Sequence, residues 1–163
     1  MTKSTNTYLI SVHSRWASSF FLSHNPKTIE LRKGSFGACL KSGDNIAIYA
    51  TLPTAELLGI VRVLKRERLP LDRLWRESQQ GQLARVSRQQ FDTYYASQIF
   101  GVGVWVNVAE LFPSPIALSK LRQNWGPRWQ PPQQIVQLTH EQTTALNITN
   151  LTERYCVRDD LTT

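Results

Sequence analysis

The sequence predicts a mixed, strand-rich α+β domain in which helices pack around a small β-barrel. Three observations carry that prediction. The chain has 163 residues, enough for one well-formed core and too few for two comfortable ones. Alternation of period two recurs along it, clearest where Val102, Val104, Val106 and Val108 interleave with Gly103, Trp105 and Asn107. Short stretches with helical spacing and capping signals separate these runs. There is no internal repeat, low-complexity tract or linker, so residues 1–163 form a single domain with an ordered core over about 7–147. Pattern alone leaves the closure of the barrel open.

Tyr8 to Val12 reads as a first strand, and Ser14 can cap a helix from Arg15 to about Leu22 that buries Trp16, Phe20 and Phe21. Asn25-Pro26 ends it, because proline disfavours helical geometry in the preceding residue. Thr28 to Lys33 is extended, with Ile29 and Leu31 on one face and Glu30 and Arg32 on the other. A loop over 34–43 and a Gly43-Asp44 turn lead into a strand from Asn45 to Thr51. The next strand, Leu57 to Leu64, is predicted to stop at the run Lys65-Arg66-Glu67-Arg68, read as a solvated strand end. Pro70 to Gln80 is helical by spacing. Ser87 and Gln90 form a capping box for a helix whose stripe is Phe91, Tyr94, Tyr95 and Ile99. After the valine strand, Ser114-Pro115 reads as a helix start. The segment 125–132, rich in Pro and Gly, is loop. A short closing strand from Ile135 to Leu138 follows, then a helix to about Leu146 with the capping-box pair Thr139 and Gln142.

The 19 basic and 12 acidic residues leave a formal charge of +7. That surplus favours a polyanionic partner, since each neutralised phosphate releases bound counterions. Cys39 and Cys156 stand far apart, and three scattered histidines do not complete a zinc set, so neither metal nor cofactor is expected. Reduced thiols, the lack of a signal-length apolar run and the lack of a membrane-spanning run suggest a cytoplasmic protein with no membrane role. The glycosylation-like triplets beginning at Asn147 and Asn150 then read as ordinary polar surface. No P-loop, nucleophile elbow or dinucleotide fingerprint occurs, and Gly101-Val102-Gly103-Val104 lies inside a strand.

Several stretches, taken in order, resemble the ASCH domains of the PUA-like superfamily. Leu9-Ile10-Ser11-Val12-His13-Ser14-Arg15-Trp16-Ala17 is similar to the family's opening strand and helix start. Lys27-Thr28-Ile29-Glu30-Leu31-Arg32 is similar to its Lys-x-x-Glu-x-Arg element. Gly43-Asp44, Gly59-Ile60-Val61, the strand from Gly101 and Pro131-Pro132-Gln133 resemble its later turn, strands and tail. The similarity covers about two thirds of the chain. It departs from the family where His13-Ser14 replaces Lys-Pro and where Asn25 replaces a glycine.

The resemblance implies a PUA-like small mixed barrel with a cleft between the first helix and the motif strand, holding a nucleotide or an RNA segment. Lys27, Glu30 and Arg32 would line it, with Ser11, His13 and Trp16 nearby. Lysine offers a point charge, arginine a planar fork, glutamate an acceptor for a base amino group, and tryptophan a stacking face. Lys33, Lys65, Arg66, Arg128 and Trp129 are further candidate contacts to single-stranded nucleic acid. Two alternatives remain: a hydrolase acting on RNA or a modified nucleoside, and a protein-interaction scaffold. The amidohydrolases of the superfamily imply a hydroxyl three residues after the lysine and a carboxylate in the later helix. Here those positions hold Glu30 and Gln90, and glutamine cannot act as a general base, so binding is favoured over catalysis.

Overall fold

A computed structural model describes residues 4–147 of the chain. Its framework is a six-stranded sheet in the order β2-β5-β4-β3-β1-β6, made of β1 (Thr7–Val12), β2 (Ile29–Arg32), β3 (Asn45–Ala50), β4 (Glu56–Pro70), β5 (Phe100–Ala117) and β6 (Ile135–Gln137). β1 and β3 run parallel and every other pairing is antiparallel. The helices are α1 (Ser14–Ala17), continued by a 3₁₀ turn over Ser18–Phe21, then α2 (Leu71–Glu77), α3 (Arg88–Tyr94) and α4 (Leu118–Trp125). Residues 140–147 are also helical, entered through the Thr139–Gln142 capping box. This is the α+β architecture expected, a curled half-barrel with surrounding helices.

Strand alternation sorts the core into layers. Tyr8, Ile10 and Val12 of β1 share one apolar cluster with Phe20, Ile46, Ile48, Val61, Val63, Val102, Val104 and Val106, which fill the inside of the curl. Leu9, Ala47, Tyr49 and Leu57 face outward under Leu121, Leu138 and Leu146. Ile29 and Leu31 join Leu74, Phe91 and Tyr95 in a third cluster beneath α2 and α3. Gly101 and Gly103 lie beneath this cluster. A Cβ at Gly101 would come within 2.7 Å of the Leu74 and Tyr95 side chains, so the bare glycine lets α3 sit close to the sheet.

The structure corrects four expectations. The strand predicted to stop at Leu64 continues through Lys65-Arg66-Glu67-Arg68, because β5 pairs with the whole run, Lys65 and Arg68 lie on aromatic rings and Arg66 bonds the Phe36 carbonyl. Ser114-Pro115 starts no helix; it lies within β5, where Leu57 and Gly59 oppose Ile116 and Leu111 across a register shift. A bulge of this kind leaves prolines no ladder donor to supply. The first helix is capped by the His13 side chain, whose Nδ1 accepts from the Arg15 N–H at 3.3 Å, and Ser14 is already its first residue. Finally, α3 stops at Tyr94, leaving Ile99 75% exposed and off the predicted stripe. The triplet positions Ile148 to Thr152, Cys156 and the C-terminal residues beyond lie outside the described residues. Among those described, no helix is long and apolar enough to cross a membrane.

Candidate functional site

The cleft forms at the free edge of β2, where the curled sheet brings that edge strand round toward the end of β1. Its volume is about 240 Å³. Lys27, Glu30 and Arg32 make the floor. Ser11, Val12, His13 and Trp16 form one side, and Val86, Gln90, Phe91, Tyr94 and Tyr95 form the other.

Arg32 ties this arrangement together. Its Nε donates to Glu30 Oε1 at 2.7 Å, and its Nη2 donates to the Ser11 carbonyl at 2.8 Å, linking β2 to β1 with no ladder between them. Its guanidinium lies over the Phe36 ring at 4.6 Å. Tyr95 adds a hydrogen bond from its hydroxyl to the Arg32 carbonyl at 2.9 Å. One planar side chain thus fixes the carboxylate and holds the edge of the curl, which a lysine ammonium cannot do from a single point.

Lys27, whose direction the sequence leaves open, points inward and is 5% exposed. Its Nζ donates to the Ala84 carbonyl at 2.9 Å and lies 3.6 Å from Glu30 Oε2. At that separation the two are ion-pair neighbours, beyond hydrogen-bond length. Burial pushes the Lys27 ammonium below its ordinary pKa; the Glu30 charge opposes that shift, and the Arg32 and Arg85 charges add to it. Glu30 is 7% exposed, and its Oε2 has no hydrogen-bond partner.

The remaining predicted residues divide between the cleft and other places. The Ser11 hydroxyl donates to the Pro132 carbonyl at 2.6 Å, so the Pro-Pro segment is tied to the cleft rim. Trp16 packs edge-on against His13 and carries the Arg15 guanidinium at 4.6 Å. Lys33 sits outside the cleft lining, with its ammonium 4.4 Å above Tyr94. Arg66 donates to the Phe36 carbonyl at 3.0 Å, on the same sheet face as Glu30 because both pair with Val104. Lys65 points to the other face, beside Trp105, Glu67 and Glu77. Trp129 packs on Tyr49 and Trp125 in the outer cluster, away from the cleft, and Arg128 is exposed beside it.

Sequence reasoning missed the aromatic wall. Phe91, Tyr94 and Tyr95 read only as a helix stripe, although three aromatics directly behind a capping box were a visible signal. It also missed the loop over 79–86, which supplies the Ala84 carbonyl through left-handed backbone at Gln79, Gln80, Gly81 and Arg85. The predicted capping box is present, with Gln90 Oε1 accepting from the Ser87 N–H at 2.9 Å.

An edge-strand cleft on a curled mixed sheet, roofed by a helix on each side, defines a PUA-like domain. The fold is similar to that of the ASCH protein from Zymomonas mobilis, with a TM-score of 0.77 and 25% identity over 86% of this chain and 93% of that one. A single-substitution variant of the same protein gives a TM-score of 0.74 at 25% identity, over 88% of this chain and 96% of the other. The human THYN1 protein in complex with 5-methylcytosine-containing DNA shares the fold more distantly, with a TM-score of 0.58 and 13% identity over 90% of this chain and 98% of that one. No family model and no curated protein matches the sequence. The chain has the fold of the ASCH and PUA-like proteins.

Proposed function

We propose that this protein is a nucleic-acid-binding module that takes an unpaired nucleotide, from RNA or another single strand, into the cleft beside β2. The observation that carries the reading is the composition of the cleft: a charged floor of Lys27, Glu30 and Arg32 under a wall of Phe91, Tyr94 and Tyr95. At about 240 Å³ the space lies below the roughly 300 Å³ at which pockets for drug-sized molecules begin, and it suits one flat ring. The DNA complex of the human THYN1 protein, which shares the fold, points the same way.

In this reading the base stacks against Tyr94 or Trp16, each stack contributing about 1–3 kcal/mol. The backbone is met by the exposed cations Arg15 and Lys33 and by the half-buried Arg66, which have no carboxylate partner within the described residues. Lys27 is buried and bonded, so its part is to hold Glu30 in place. Lys65 and Trp129, committed on other faces, drop out of the contact set.

Fluorescence anisotropy with a short single-stranded RNA, repeated over a salt series, tests the proposal. Binding should weaken with salt by about 0.7 in log K per log salt for each phosphate neutralised. Tyr94→Ala and Lys33→Ala, both at exposed positions, should weaken binding about tenfold or more without lowering the melting temperature. Negligible binding by the wild-type protein at low salt, or affinity equal in wild type and Tyr94→Ala, would sink the proposal.

A further inference from the structure

Three strands share an end beside the cleft. β2 stops at Arg32, β5 begins at Phe100 and β4 stops at Pro70, and the register pairs both Arg32 and Arg68 with Val102. Arg68 and Phe100 therefore lie on the same sheet face as Arg32, while Lys33 leaves the end of β2 on the other face, against Tyr94. Ile99 is 75% exposed and Phe100 is 37% exposed. Adjacent open apolar side chains rimmed by charge mark a contact surface, where a single scattered one does not. The Arg68 guanidinium stands 4.3 Å over the Phe100 ring, and Arg66, one step back on the same face, bonds the Phe36 carbonyl. Neither arginine pairs with a carboxylate among the described residues. Glu67 turns to Lys65 on the opposite face, and Asp72 faces Arg76 on α2.

We infer that the strand flanking the captured nucleotide runs across this shared end of β2, β5 and β4, where Arg68 takes its phosphates and Ile99 and Phe100 meet its bases. The inference rests on the nucleic-acid reading above and deepens it. From β2 to β4 is about 10 Å, two strand spacings, which roughly three nucleotides of a stacked strand cover at about 3.4 Å each. Arg66 and Arg68 stand about 7 Å apart along β4, so each can neutralise a phosphate of its own. A guanidinium over a ring keeps N–H donors at its rim, so the contact with Phe100 holds Arg68 in place without using them up. Aromatic rings meet bases of any sequence, because every base has a π-face. An acidic peptide would suit the charge as well, but continuity with a cleft sized for one flat ring favours a nucleic-acid strand.

Anisotropy titrations of the full-length protein with a dinucleotide and an octanucleotide of single-stranded RNA test this. Wild type should bind the octanucleotide more tightly, because only the longer strand spans the cleft and the shared strand end. Arg68→Gln should cut that gain about fivefold and lower the salt slope of octanucleotide binding by about 0.7, one phosphate's share. Arg68→Lys, which keeps the charge, should restore the slope. Phe100→Leu keeps an apolar side chain without a π-face and should cut the gain about threefold or more. Melting curves taken alongside check that the variants fold. An octanucleotide that binds wild type no tighter than the dinucleotide, or a gain and slope unchanged in Arg68→Gln, overturns the inference and leaves the binding module standing. An oligoglutamate of similar length that binds as tightly as the octanucleotide, and loses as much in Arg68→Gln, reassigns the surface to acidic protein partners and overturns it too. No binding of either RNA overturns both.

Discussion

Arg32 and Tyr95 show how single side chains hold the site. The Arg32 fork serves Glu30 and the Ser11 carbonyl at once, so a lysine there keeps the charge but loses one of the two bonds. Arg32→Lys should cost about 1–3 kcal/mol in urea unfolding. Arg32→Met should cost about 3 kcal/mol or more, because it leaves a buried carboxylate with Lys27 alone. Burial holds the Tyr95 phenol well above its ordinary pKa of 10.0, and the neighbouring Tyr94 and Glu30 add to the shift. The unfolded chain therefore releases that proton near pH 10 while the folded chain keeps it. The stabilisation is complete below that pH and is lost as pH rises beyond it. Tyr95→Phe should cost about 1 kcal/mol at neutral pH through the lost bond to the Arg32 carbonyl. It should also flatten the alkaline loss of stability, read by urea unfolding from about pH 8 to pH 11. Tyr49 and Tyr94 are raised by burial too, so part of that slope should survive in the variant.

The position of α3 depends on what lies beneath it and on how it begins. Gly101→Ala would push a methyl into Tyr95 and Leu74 and lift the aromatic wall; we expect a loss of about 1–3 kcal/mol and weaker RNA binding. Ser87→Ala removes the cap acceptor for the Gln90 N–H and should cost about 1 kcal/mol, a change that circular-dichroism melting resolves. Local pattern made this helix legible, because a capping box is written in four adjacent residues. Alternation likewise put Glu30 and Arg32 on one face of β2, and the structure pairs them. The inward turn of Lys27 was not legible, since its partner is a carbonyl 57 residues away on an irregular loop. The helix expected at Ser114 failed for a related reason. Ser-Pro is a sound local start signal, but the length of β4 and a bulge opposite Leu57 and Gly59 draw that segment into the sheet.

At the scale of the molecule, the cleft lies where the curled sheet brings β2 and β1 together without a ladder between them. β2 and the end of β1 lie at separate places in the strand order, and Arg32 links them through a side chain. A ligand seated there should tighten both at once. Hydrogen exchange with single-stranded RNA present should therefore slow amides at 10–13 and 29–33 together, while leaving the outer cluster around Leu121 unchanged. Slowing confined to one of the two segments would separate the binding site from this seam. The same seam orders events during synthesis. Among the described residues β2 pairs only with β5, so Glu30 and Arg32 leave the ribosome with no strand to join until Val102 to Trp105 follow, roughly 70 residues later. At about 5–20 residues per second that is a wait of some 4–15 s. For that interval the nascent chain carries the Glu30–Arg32 strand without its ladder partner, and the cleft is among the last features of the domain to exist.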